Sequence, residues 1–171
     1  MSDPRSAPTK HYRVLVELVK ANGWSRGAEI GVLKGKTLGV LLSECPALHM
    51  TGVDLWERHA PADVAGHETY ERYDMARVQT AAFAVADRFP GRCYLIREDS
   101  VKAAALVDDG ALDFVFIDAA HTQEATRRNI VAWRPKARVM LGHDWWWPSV
   151  AAALDGIGPW VRLPESVWML K

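Results

Sequence analysis

The chain has 171 residues, 49% of them hydrophobic and 25% charged, a globular composition whose length suits one domain with one core. Its 21 Lys and Arg balance 21 Asp and Glu without long basic runs, which argues against a dedicated nucleic-acid binder. No apolar stretch is long enough to cross a bilayer.

The opening MSDPRSAPTK, residues 1–10, reads as a loose polar arm without an apolar segment of the secretory kind. The expected compartment is therefore the cytoplasm, with Cys45 and Cys93 reduced and buried rather than paired. Residues 12–24, YRVLVELVKANGW, place Val14, Leu15, Leu18 and Val19 at helical spacing, and Asn22-Gly23 supplies a stop. GAEIGV reads as a buried strand, KTLGVLLSEC as a helix ended by Pro46, and LHMTGVDLW as a second strand. Residues 57–68 carry Pro and Gly without an apolar period and predict a mobile loop. Residues 69–89 predict a long helix closed by Pro90-Gly91. CYLIRED is a third strand, SVKAAALV a short helix, and ALDFVFID the clearest strand of all. TQEATRRNIVAWR predicts a helix stopped at Pro135, ARVMLGHD a fifth strand, and SVAAALDGI a short helix. WVRL and SVWMLK predict two final strands.

Strands alternating with helices imply an α/β, doubly wound, mostly parallel seven-stranded sheet of Rossmann-like type, helices on both faces. In such sheets the ligand crevice lies outside the carboxyl ends of the strands. The polar residues at those ends are Glu29, Asp54, Asp99, Asp118 and His143-Asp144, all expected at one rim.

AEIGVLKGKTLGVLL, residues 28–42, tests what that rim holds. A nucleoside-triphosphate loop needs G-x-x-x-x-G-K-[ST], but the glycine is Gly31 where position 30 is required, so the loop is one residue short. A nucleotide hydrolase built on Lys36 and Thr37 is the weaker alternative. The dinucleotide pattern fails as well, because Leu33 stands at its second glycine. What remains is E-x-G-x-x-x-G, whose acid would repel a polyphosphate and suit a ligand with a cation and hydroxyls. A plain strand–turn–helix with permissive glycines also satisfies the pattern.

With GVDLW, REDS and FVFIDAAHTQEATRRNIVAWRPKARVMLGHDWW, that loop resembles, in order and spacing, the class I S-adenosylmethionine-dependent methyltransferases, over about residues 25–155. The IDxxH…GHD set resembles the small-molecule, catechol-type O-methyltransferases. The resemblance implies S-adenosylmethionine as cofactor, with Glu29 binding the methionine amino group or organising the loop that does. Gly31 and Gly35 would admit the cofactor to the backbone, with Thr37 beside them. Asp54 would accept the ribose hydroxyls, Leu55 and Trp56 would pack on the adenine, and Asp99 and Ser100 would bond its edge. Without that family, Asp54 and Asp99 read as solvated loop carboxylates and Trp56 as a surface-anchoring aromatic.

The same resemblance makes His121 the base and Asp118, His143 and Asp144 the ligands of a divalent ion. His143 departs from the family, where a carboxylate is usual. Magnesium prefers oxygen, and imidazole suits manganese or softer ions. A softer ion, a His143 turned toward backbone, and no metal at all each remain open. His11, His49, His59 and His67 receive no role, although His67 could reach the acceptor. Trp145, Trp146 and Trp147 are expected to divide between acceptor pocket and core, which favours an apolar or aromatic small-molecule acceptor. No nucleic-acid or membrane partner is expected, a homodimer stays open, and so does a cofactor-binding subunit without catalysis.

Overall fold

The computed structural model describes residues 10–57 and 73–170. The elements, in chain order, are α1 (His11–Asn22), β1 (Arg26–Ile30), α2 (Lys36–Glu44), β2 (His49–Asp54), α3 (Met75–Ala86), β3 (Cys93–Arg97), α4 (Ser100–Ala104), β4 (Leu112–Ile117), α5 (Gln123–Trp133), β5 (Ala137–Gly142), α6 (Pro148–Asp155), β6 (Trp160–Arg162) and β7 (Trp168–Leu170). The seven strands form one sheet in the order β3-β2-β1-β4-β5-β7-β6. Every pairing is parallel except those of β7, which runs antiparallel to β5 and β6. This is the doubly wound sheet expected, with its antiparallel strand near one edge.

The pleat sends alternate residues of β4 to opposite faces. Phe114 and Phe116 join Leu15, Leu38 and Leu41 on the face covered by α1, α2 and α3. Val115 and Ile117 join Ile30, Ile130, Trp133 and Leu154 on the face covered by α4, α5 and α6. Burial on both faces explains why β1 and β4 read as continuous apolar runs.

One predicted helix is corrected. Of the segment expected to be helical over 69–89, positions 69–72 lie outside the described residues; the described part is helical over Met75–Ala86, Asp74 being extended and capping the first turn by accepting from the Ala76 and Arg77 amides. The predicted loop over 57–68 lies outside the described residues after position 57, as do His59 and His67. Cys45 and Cys93 are unpaired. Among the described residues, no helix is long and apolar enough to cross a membrane.

From β1 the chain winds outward through β2 and β3, then returns to place β4 on the other side of β1. The loops after β1 and β4 therefore part company at the carboxyl edge and leave a crevice there.

Candidate active site

A cavity of about 390 Å³ opens at that crevice, lined by Gly31, Asp54, Leu55, Asp99, Ser100 and Asp118, all predicted from sequence. Its geometry begins with Gly31. The residue has φ +92°, and a Cβ there would fall 2.2 Å from the Asp118 carbonyl oxygen. Glycine is thus required by the neighbouring strand end as well as by the turn. Leu33 follows at φ 50°, an unusual conformation for a branched side chain, and it is held from outside. Both Val32 N–H and Leu33 N–H donate to Asp54 Oδ2 at 2.9 Å. The other oxygen, Oδ1, accepts from Trp56 N–H at 2.8 Å. Three amides leave part of this carboxylate's acceptor capacity for a ligand hydroxyl.

Asp99 closes the second wall. It caps α4, its Oδ1 accepting from Val101 N–H at 3.0 Å and Lys102 N–H at 3.2 Å. Ser100 donates its hydroxyl to Asn129 Oδ1, and its carbonyl accepts from Trp133 Nε1–H at 3.0 Å.

Four expected cofactor contacts do not line the cavity. Glu29 sits on the opposite face of β1 from Ala28 and Ile30, is 2% exposed, and lies under the start of α2 beside Thr37 and Leu38. Burial first, then the Asp118 charge, holds its carboxyl well above the ordinary range. Of its two expected tasks the geometry supports organising the loop. Thr37 is buried in the first turn of α2, its hydroxyl 2.8 Å from His11 Nε2. Gly35, at φ +77°, faces Ala82 and Val85 of α3. Trp56, at φ 48° and 3% exposed, turns inward against Phe83 and donates Nε1–H to the Leu33 carbonyl at 2.9 Å. Lys36 lies over the Tyr12 ring, 5.1 Å from its centre, and also away from the cavity. The nucleotide-hydrolase alternative therefore loses both of its residues.

Beside the cavity stands a centre of imidazoles and carboxylates that Asp118 joins to it. His143 Nδ1 lies 3.4 Å from Asp118 Oδ1 and 3.3 Å from Asp144 Oδ1. His121 Nε2 lies 2.8 Å from Asp144 Oδ2 and 4.0 Å from Asp118 Oδ1. Ser149 donates its hydroxyl to the His121 carbonyl, and the Trp147 ring stacks on the His121 ring at 5.4 Å. Thr122 begins α5 as its cap, accepting from Ala125 N–H at 3.2 Å, so His121 itself is left to the site. The centre also contains a residue without an expected role. His11, on the first turn of α1, brings Nε2 to 3.9 Å from Asp118 Oδ2 and its ring centre to 4.4 Å from that of His143.

The charges in this centre are coupled. Burial would lower His143, but Asp118 and Asp144 outweigh it and hold the ring proton up to about 10. Burial would raise Asp144 and Asp118; contact with His121 and His143 lowers the first, and His143 with His11 lowers the second. Burial is the largest influence on His11 and lowers it.

The donor set fits a divalent ion. His143 Nε2 stands 3.2 Å from the Glu165 carbonyl, which can only accept, so Nε2 carries a proton; Nδ1 faces two carboxylates that hold a second proton there, and an ion binding at Nδ1 would displace that proton. That juxtaposition of three donors is repulsive unless a proton or a cation lies among them. Metal-bound histidines commonly give their second N–H to such a carbonyl. Among the described residues, the groups whose donor atoms all lie within 4.8 Å of one another are His11, Asp118 and His143, and Asp118, His121 and Asp144. The predicted trio of Asp118, His143 and Asp144 is thus divided between two groups that share Asp118.

Sequence reading missed Asn129, Thr122, Glu124 and Arg128 in the cavity wall and His11 in the centre. Two had a signal. Asn129 is a buried amide at helical spacing with Ile130 and Trp133, and His11 precedes Leu15 and Val19 on the same face of α1. A polar residue on an apolar helical face is itself the clue.

A family model described as a methyltransferase domain matches residues 28–145. The chain belongs to the methyltransferase-domain family and is an enzyme. Its fold is similar to that of cofactor-bound Rv0187 from MTB, 17% identical over 99% of this chain and 83% of that chain, TM-score 0.67. It is likewise similar to the SAH-bound Podospora anserina methyltransferase PaMTH1, 12% identical over 93% of this chain and 76% of that chain, TM-score 0.64. A third similar structure is CalS11, a TDP-rhamnose 3'-O-methyltransferase, 18% identical over 95% of this chain and 80% of that chain, TM-score 0.57. At these identities the likeness is one of fold. No curated protein matches the chain in sequence.

Proposed function

We propose that the enzyme transfers a methyl group from S-adenosylmethionine to an oxygen of a small molecule, with a divalent ion assisting. The observation that carries this reading is Asp118, which lines the cavity on one side and faces the imidazoles on the other. When bound, S-adenosylmethionine supplies a methyl already activated on a sulfonium, and a divalent ion supplies a Lewis acid for the acceptor oxygen. Asp118, His143 and Asp144 would hold that ion.

The chain's own residues then have three tasks. Asp54, Leu55, Asp99 and Ser100 hold the nucleoside, with Asn129 fixing the Ser100 hydroxyl. The crevice aligns donor and acceptor, a contribution of roughly 7–11 kcal/mol in well-oriented systems. The His121 ring accepts the acceptor's proton at the nitrogen that Asp144 does not face, as the new C–O bond forms and the C–S bond breaks, and Asp144, 2.8 Å from Nε2, orients the ring and stabilises the imidazolium. Trp147, stacked on His121, walls the acceptor side and suits a flat or apolar acceptor.

Calorimetry with S-adenosylhomocysteine tests the first half. Saturable heat, weakened in Asp54→Ala, is the expected result; silence at high ligand concentration removes the reading. A panel of phenols and hydroxylated small molecules, followed by S-adenosylhomocysteine release, tests the second half. Cofactor binding without turnover on the panel, unchanged by His121→Ala, would favour the non-catalytic subunit.

A further inference from the structure

Resting on the metal-assisted reading, we infer that His11 is a further ligand of the centre, and that the enzyme takes a divalent first-row transition ion in preference to magnesium. The distances carry the first part. An N–H···O hydrogen bond spans about 2.7–3.2 Å. The separations of Asp118 from His143 and His11, 3.4 and 3.9 Å, are longer than that. Donors bonded to one cation at roughly 2.0–2.2 Å stand at most about 4.4 Å apart, so both separations are within reach of a shared ion. One donor atom each from His11, Asp118 and His143 falls within 4.8 Å of the others, and His143 is buried while the other two are half-buried.

The local structure places His11 there deliberately. Leu15 and Val19 anchor the same face of α1 in the core. The His11 ring stacks on Phe116 of β4 at 5.4 Å, two residues before Asp118. The Lys10 amide donates to the Glu165 carboxylate at 2.8 Å, and the carbonyl of that same Glu165 receives His143. One turn therefore fixes the start of α1 and the ring of the second imidazole. Thr37 Oγ1, 2.8 Å from His11 Nε2, can donate or accept, so it does not dictate the tautomer.

Ligand chemistry carries the second part. Two imidazoles with carboxylates suit manganese, cobalt, nickel or zinc, whereas magnesium seeks oxygen donors and keeps its waters.

The test is a titration of the full-length, metal-stripped protein with cobalt(II) alone, read by calorimetry and by visible absorption. Wild type should bind one cobalt, with magnesium failing to compete at equal concentration. His11→Ala and His11→Asn should each weaken cobalt by at least about 100-fold, the upper end of what losing a merely supporting partner costs, and should change the absorption bands. Thr37→Val, which removes the tie between α1 and α2 but not the ligand, should leave those bands in place. No cobalt uptake by folded wild type would defeat the metal reading itself. Uptake that survives both His11 variants unchanged, or bands lost equally in Thr37→Val, would defeat the role of His11 alone. Equal competition by magnesium would defeat the stated ion preference.

Discussion

The two ends of the sheet use the same chemistry for opposite purposes. At the amino edge, Asp113 Oδ2 accepts from Ser25 N–H at 2.8 Å and Arg26 N–H at 3.0 Å, latching the entry to β1. At the carboxyl edge, Asp54 latches the exit of β1 in the same manner, through Val32 and Leu33. The difference lies in what surrounds each latch. Among the described residues, the five non-glycine residues with positive φ are Leu33, Trp56, Asp144, Glu165 and Ser166. All five follow β1, β2, β5 or β6, and so all stand at the carboxyl edge. Such conformations cost about 1–3 kcal/mol each and persist where the surrounding structure over-determines them. One edge settles its polar groups within the fold; the other holds strained backbone and carboxylates facing imidazoles.

The largest expected effect breaks function while sparing the fold. His121→Ala should lower turnover by about 10²–10⁴, the usual contribution of a positioned base. Its melting temperature should fall less than that of Asp54→Ala, since the ring's close contacts are one ion pair with Asp144 and the Trp147 face, with no backbone amide depending on it. A melting temperature that falls as far as that of Asp54→Ala would make His121 structural.

Next come the two latches, which the comparison sets against each other. Asp54→Ala leaves three amides without a partner and should cost about 3 kcal/mol in urea unfolding, together with S-adenosylhomocysteine affinity. Asp113→Ala hands two amides of exposed residues over to water, should cost about 1 kcal/mol, and should leave ligand affinity untouched. If both variants change ligand affinity alike, the division of labour between the edges is wrong.

The rim was legible in the sequence because topology does the placing. Once strands and helices alternate, Asp54, Asp99, Asp118 and His143-Asp144 must end at one edge, whatever their neighbours are. The side-chain direction of Glu29 was not legible. β1 is buried on both faces, so its residues show no polar–apolar alternation from which to read the pleat. Trp56 misled for a related reason: its left-handed backbone turns the ring inward, and nothing in GVDLW signals that turn. His11 lies in the first element, far in sequence from the residues it meets. Only the docking of α1 over β4 brings them together.

The smallest effects are in pH dependence, and they have opposite signs at two buried or half-buried acids. Burial would raise Asp113, but the Ser25 and Arg26 amides and the Arg138 guanidinium outweigh it and lower its carboxyl. Its folded value lies below its unfolded one, so its stabilisation is present above the unfolded carboxylate range and fades as pH falls through the folded value. The stability gap between wild type and Asp113→Asn should therefore close on acidification. Glu29 is raised, chiefly by burial, so its native carboxyl holds the proton more tightly than the unfolded chain does. Its contribution is present below the unfolded value and is lost as pH rises through the folded one. Relative to wild type, Glu29→Gln should thus gain stability steadily from acid to neutral pH, as measured by urea unfolding across that range. A Glu29→Gln curve parallel to wild type would mean that the carboxyl titrates normally. The face of β1 beneath α2 would then be as well solvated as the rim above it.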